Sequence, residues 1–564
     1  MEALDWLVIG VFFLALIGII VWVVRQKQND SADYFLGGRD ATWLAIGASI
    51  FASNIGSEHL IGLAGAGASS GMAMAHWEIQ GWMILILGWV FVPFYTRSMV
   101  YTMPEFLERR YNPQSRTILS VISLVSYVLT KVAVTVYAGG LVFQQVFGIK
   151  ELWGIDFFWI AAIGLVVLTA LYTIFGGMKS VLYTSVLQTP ILLLGSLIIL
   201  VLGFTELGGW DEMMRVCGAV TVNDYGDTMT NLIRSNDDAN FPWLGALIGS
   251  AIIGFWYWCT DQFIVQRVLS GKNEMEARRG TIFGAYLKLL PVFLFLIPGM
   301  IAFALHQKYI GAGGEGFLPM LANGTANADA AFPTLVAKLL PAGVKGLVVC
   351  GILAALMSSL ASLFNSSAML FTIDFYKRFK PETPEKKLVG IGQIATIVIV
   401  VLGILWIPIM RSVGDVLYTY LQDVQSVLAP GIAAAFLLGI CWKRTSAQGG
   451  MWGLISGMVI GLTRLGAKVY YSNAGEVADS TFKYLFYDMN WLFFCGWMFL
   501  FCIIVVIVVS LATEAPTAEK IQGLVFGTAT KEQKAATRAS WNHWDIIHTV
   551  IILAITTAFY WYFW

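Results

Sequence analysis

The amino-acid sequence predicts an all-α polytopic membrane protein with about 14 transmembrane helices, on three observations. Of its 564 residues, 58% are hydrophobic and 12% charged, about half the charged share with which a soluble domain covers itself. Apolar runs long enough to cross roughly 30 Å of hydrocarbon recur from one end to the other. Lys and Arg fall unevenly on alternate sides of those runs, 23 on one side and nine on the other, with Lys131, Lys288 and Arg464 inside them.

Taken in order, the first span covers about 5–25 and has no small-residue cleavage site, so it reads as a helix rather than a removed signal peptide. Arg25, Lys27 and Arg39 separate it from 41–70, and Arg97, Arg109, Arg110 and Arg116 separate 74–96 from 116–147. Lys179 divides 154–174 from 180–204, and Arg267, Lys272, Arg278 and Arg279 lie between 241–265 and 280–307. Lys377, Arg378, Lys380, Lys386 and Lys387 divide 343–377 from 386–410, and Lys443 and Arg444 divide 412–441 from 446–468. Lys520, Lys531, Lys534 and Arg538 precede the last span, 544–564, which follows 489–512. All these basic loops share one side, and the positive-inside rule makes it the cytoplasm. Both termini are then extracytoplasmic, in a multi-pass protein of the cell (plasma or inner) membrane. The acidic loop 205–240 caps the outer face, and 514–543 reads as a solvated cytoplasmic linker before an aromatic anchor, FYWYFW.

Composition also excludes several functions. Zero net charge argues for no nucleic-acid partner, and the bilayer is the partner that the spans require. Five of six cysteines lie in apolar segments and Cys217 stands alone in a loop, which makes neither a disulfide framework nor a metal cluster. GGMKS at 176–180 lacks the spacing of an ATP-binding P-loop, and no nucleophile–base pair appears, so neither an ATP-driven pump nor an enzyme is expected.

Ionisable groups inside a membrane are costly and mark functional sites by default. Asn54-Ile55-Gly56-Ser57 is a poor helix-propagating run, followed at once by Glu58 and His59; a break there frees backbone carbonyls, though neighbouring helices could re-satisfy a simple kink. Lys288 lies deep in its span and needs a partner, for which Glu78 in HWEIQGW is a candidate; a structural ion pair or a snorkelling end are the alternatives. WYWCTDQ at 256–262 sets aromatic faces beside Thr260, Asp261 and Gln262, suiting the two faces of a sugar or, equally, an interfacial belt with an Asp261–Arg267 pair. In ALMSSLASLFNSS, Ser358, Ser359, Ser362 and Ser366 offer neutral oxygens to a small hard cation, or simply bond back to their own helix.

FASNIGSEHLIGLAGAGASSG, YTMPEFLERRY, GFWYWCTDQFIVQRVLSGKN, YLKLLPVFLFLIPGM, LMSSLASLFNSSAMLFTIDFYKRF and PGIAAAFLLGICWKRT together resemble the sodium/solute symporter family, and most of all its sodium/glucose cotransporter branch. The resemblance covers about 30 to 445. It implies a five-plus-five inverted-repeat core, 41–204 and 241–441, with an interrupted first helix in each repeat. The 205–240 loop joins the repeats, 1–40 holds a peripheral first helix and cytoplasmic loop, and 442–564 holds peripheral C-terminal helices. The implied sodium ligands are the carbonyls of Ala52, Ile55 and Ala355 and the hydroxyls of Ser358 and Ser359. The implied sugar ring is Asn54, His59, Glu78, Lys288 and Gln422, with Gln425 as a fallback in that loosest stretch; Tyr257 closes the site from inside and Trp258 lies beside it. Relatives that bind a second sodium carry an aspartate where YTSVLQT has Ser185, so one sodium per substrate is expected. The function implied is sodium-coupled import of a glucose- or galactose-like monosaccharide by alternating access; uptake of inositol or sialic acid, or a non-accumulating sugar sensor, are the alternatives.

Overall fold

The computed structural model describes the chain except at residues 27–29, 57, 322–323, 412–416 and 474–477, so Ser57 and the start of the 412–441 span lie outside it. Helices overlie the predicted spans, and ten described segments are long and apolar enough to cross a bilayer. The protein is therefore a multi-pass membrane protein.

The helices that matter are the broken ones. Trp43–Asn54 stops where Ile55 turns extended (φ −81, ψ 105), and the chain resumes as a wide turn, Glu58–Leu63, leading into Ala64–Ser70. Trp243–Gly254 widens over Phe255–Thr260 and breaks at Asp261 (φ −76, ψ 127), which caps Gln262–Leu269 by accepting the Phe263 N–H at 3.2 Å. Each predicted repeat thus opens on an interrupted helix. Such breaks survive in a membrane only where protein or a lined cavity satisfies the freed backbone. Tight approach helps: a Cβ on Gly67 would collide with the Leu296 carbonyl, and one on Gly299 with that of Ala64, so the small-residue face after the break lets helices pack backbone to backbone.

Two details differ from the sequence reading. The spans 154–174 and 180–204 are joined without a loop, as Phe157–Leu207 with one sharp turn at Gly177 (φ +53, ψ −150). Only glycine takes that turn easily, and a Cβ there would meet the Tyr34 carbonyl. The 514–543 linker is not simply solvated: it forms Ala518–Ile521 and Lys531–Ala539 and is tied to the helix ends above it. Arg97 donates to Thr537 Oγ1 (2.6 Å), Lys520 to the Glu108 carbonyl (2.9 Å) and the Phe526 N–H to the Ile440 carbonyl (2.9 Å).

Between Ile297–Gly311 and Val344–Met369, Asp329 is pressed on the broken first helix; a Cβ on Gly65 would lie 2.5 Å from its Oδ1. Burial pushes its carboxyl up from 3.8 to about 6. A raised acid binds its proton more tightly folded than unfolded, so its contribution is full below pH 3.8 and is lost as pH rises to about 6. Asp329→Asn should therefore melt at higher temperature than wild type above pH 6, the gap closing toward pH 4, in detergent melting curves. A gap that does not vary with pH would contradict this.

Candidate functional site

Between the two broken helices lies a cavity, and all seven residues assigned to the sugar ring and its gate line it: Asn54, His59, Glu78, Tyr257, Trp258, Lys288 and Gln422. They come from five stretches far apart in the chain. Asn54 ends the first half-helix and His59 starts the second, so the break itself aims both inward. Glu78 ends a short helix, Ala75–Glu78, and Lys288 ends Glu274–Lys288.

The charged centre is compact. Lys288 Nζ lies 2.6 Å from Glu78 Oε2, and His59 Nε2 lies 3.3 Å from the same oxygen. All three are buried to within 4% of full coverage, so the pair must neutralise itself, because either ion alone would pay its desolvation penalty uncompensated. His59 Nε2 is also 3.3 Å from the Asn54 amide. Asn54 presents its Nδ2 to this nitrogen, so Nε2 stands between an amide donor and a carboxylate acceptor, and the tautomer decides which of the two it bonds. Three buried polar atoms on the cavity have no partner among the described residues: His59 Nδ1, Trp77 Nε1 and Gln422 Oε1. Unpaired polar atoms beside three aromatic rings suit a hydroxylated ring better than an apolar one.

A second, smaller cavity shares Glu58, Tyr257 and Gln425 with the first and adds Lys131, Thr135 and Ser359. Tyr257 is thus a wall between the two. Behind it Lys131 Nζ sits 2.6 Å from Asp261 Oδ2 and 4.7 Å from the Tyr257 ring centre, and the Tyr127 hydroxyl donates to the other Asp261 oxygen. Asp261 therefore pairs with Lys131 and not with Arg267, whose guanidinium lies over Phe263 at 5.1 Å. The sequence hid this partner because Lys131 belongs to another helix.

The residues assigned to sodium lie on two elements that pack on each other, Trp43–Asn54 with its break and Val344–Met369. The last backbone bond before the first break runs from the Ile55 N–H to Phe51 (3.0 Å), and the next carbonyl in use is that of Gly56, accepting from His59 (3.1 Å) and Leu60 (3.3 Å). Ala52 and Ile55 flank this gap, Ala52 in the last turn of the half-helix and Ile55 at its extended end. Ser359 Oγ abuts the break, 3.1 Å from where a Gly56 Cβ would stand. Ala355 and Ser358 lie one turn and one residue before it on Val344–Met369, buried like Ala52 and Ile55. Carbonyl and hydroxyl oxygens of this kind are the neutral donors that a small hard cation takes. Ser185 differs: its hydroxyl donates to the Val181 carbonyl at 2.6 Å and lies 3.3 Å from Ser358 Oγ. Ser362 Oγ is engaged by Ser53 at 2.6 Å.

Sequence reasoning missed Trp77, Gln80, Ile253 and Gly254 in the main cavity, and had left Glu58 without a role. HWEIQ carried a signal for Trp77 and Gln80, since both lie close to Glu78, but a helical reading puts neither on the face of Glu78. The helix is interrupted at Ile79–Gln80, and that interruption turns Gln80 inward.

The family model described as the sodium:solute symporter family matches residues 34–457. Sodium/myo-inositol cotransporter 2 of Mus musculus is 37% identical over 542 residues, 94% of this chain and 80% of its own. Sodium/glucose cotransporter 4 of Danio rerio is 36% identical, over 92% of this chain and 80% of its own. Among solved structures, a substrate-bound outward-open Na+-coupled sialic acid symporter superposes with a TM-score of 0.72 at 22% identity, covering 92% of this chain and 99% of that one. That likeness concerns the fold, an inverted-repeat symporter core.

Proposed function

The chain belongs to the sodium:solute symporter family, and we propose that its solute is a glucose- or galactose-like monosaccharide. As a sodium-coupled symporter it binds sodium and a small solute within the membrane. The reading of the solute rests on one observation: a cavity whose orphaned polar atoms and aromatic rings are arranged around a charge pair that is already neutral. Lys288 is committed to Glu78, and Glu58 adds a further carboxylate, so a negatively charged solute such as sialic acid meets no spare cation there. A neutral polyol does not need one. Inositol is the second reading, favoured by the names of several relatives and by the same donor set.

In the proposed cycle both termini face outward, and sodium bridges the Ala52 and Ile55 carbonyls to Ala355, Ser358 and Ser359. That contact joins the first broken helix to the serine helix and favours the outward-open state. Asn54 and His59, on the same broken helix, then hold the sugar. Coupling is the difference in each ligand's affinity for the two states. One sodium moving through 100 mV contributes about 2.3 kcal/mol, nearly fiftyfold accumulation. Tyr257 leaving its wall position opens the inner path. One sodium per sugar is supported by Ser185, which brings no carboxylate and whose proton is already donated.

Proteoliposomes offered D-glucose, D-galactose, myo-inositol and sialic acid, each with and without an inward sodium gradient, test this directly. Sodium-driven accumulation of a hexose at a Hill coefficient near one is expected. Sialic acid accumulating in preference, or facilitated uptake indifferent to sodium, would sink the reading.

A further inference from the structure

Gln80 sits in the interruption of the helix that carries Glu78, with backbone angles (φ −87, ψ 23) outside a regular helix. Its side chain lies across positions 250, 254 and 258 of the other broken segment, which stack one turn apart. Nε2 donates to the Ser250 carbonyl at 2.8 Å, and Oε1 accepts from Trp258 Nε1 at 3.2 Å. These two partners fix the amide: a carbonyl can only take the NH2 and an indole N–H only the oxygen. Between them is Gly254, where an ideal Cβ would lie 2.5 Å from Gln80 Oε1 and 2.9 Å from Nε2. The amide thus fills the volume that a side chain at 254 would claim.

Held this way, Gln80 is 3% exposed, lines the cavity, and retains one N–H and one lone pair beyond its two partners. Its position complements the charge pair. Lys288 Nζ lies over the Trp258 ring, 5.4 Å from its centre, whereas Gln80 meets the Nε1 edge of the same indole. Polar groups therefore bracket one aromatic platform at two separate points. A ring resting on that platform presents different hydroxyls to each.

We propose that Gln80, seated over Gly254, is a specificity-determining residue that reads one hydroxyl of the transported ring, distinct from that met by Glu78 and Lys288. The assignment rests on the polyol reading above. A fixed amide discriminates because an analogue lacking the hydroxyl leaves a buried donor and acceptor unpaired.

The test is sodium-driven uptake by wild type, Gln80→Met and Gly254→Ala, in proteoliposomes. The probes are D-glucose, D-galactose and myo-inositol, with the monodeoxy analogue at each position of whichever is accumulated. Met keeps the length of Gln without its amide; the methyl at 254 displaces the amide without deleting it. Both variants should raise KM for the parent about tenfold, the scale of one hydrogen bond. For one deoxy analogue alone, KM should already be raised in wild type and change by less than about twofold in either variant. Equal losses across all analogues, or no deoxy position that weakens wild-type uptake, would overturn the assignment and leave Gln80 a packing residue. Wild type accumulating none of the three polyols would instead overturn the polyol reading itself.

Discussion

Lys288→Ala is expected to abolish sodium-driven uptake and to destabilise the protein together. Its ammonium is 2.6 Å from Glu78 Oε2 with both side chains almost wholly covered, so removing it strands a carboxylate inside the membrane. Breaking a buried pair from one side costs about 3–5 kcal/mol, against near neutrality when both partners are replaced by apolar groups of similar shape. The pair can therefore be dissected. Lys288→Met with Glu78→Gln should recover much of the melting temperature lost in Lys288→Ala, because no unpaired charge remains. It should not recover uptake, because the ring of donors and acceptors is gone. Melting curves and uptake on the same preparations read the two effects separately. A double variant that transports like wild type would show the pair to be structural only.

Ser359→Ala carries the second large effect, on sodium rather than on sugar. Its hydroxyl stands at the break, while the Ser185 hydroxyl is already donated to the Val181 carbonyl. Losing one oxygen ligand to a cation should raise the sodium concentration for half-maximal uptake about tenfold or more. The order of preference among sugars should stay the same, since the Glu78–Lys288 centre is untouched. Sodium activation curves at saturating sugar decide it. An unchanged curve would remove Ser359 from the ion site, and a reordered sugar preference would place it in the other one.

Most of the candidate site was legible because each part had a local chemical oddity. FASNIGSEHL carries an amide, a carboxylate and an imidazole in an apolar span, Lys288 is a lone cation in another, and four serines recur at helical spacing in a third. A membrane makes such groups expensive, so each stands out without any neighbour being known. The resemblance then said which oddities belong together, and all seven ring and gate residues do line one cavity. What escaped was whatever depended on pairing across the chain. Asp261 looked like a partner for Arg267 six residues on, and pairs instead with Lys131 from a distant helix. The 514–543 stretch is polar enough to float, yet Arg97, Glu108 and Ile440 hold it against the helix ends.

By itself, then, the sequence determined that this protein spans a membrane in many helices, and which segments cannot be continuous helix. Hydrocarbon imposes those answers residue by residue, through the transfer of apolar and charged groups. Only the tertiary structure decided which partner neutralises each buried charge and which side chains share a cavity. Gln80 shows why. Its role comes from a helix interruption beside Glu78 and from the missing side chain of Gly254, 174 residues away, where a Cβ would stand 2.5 Å from the amide. An absence at one position makes room for a function at another, and that exchange exists only once the two backbones have met.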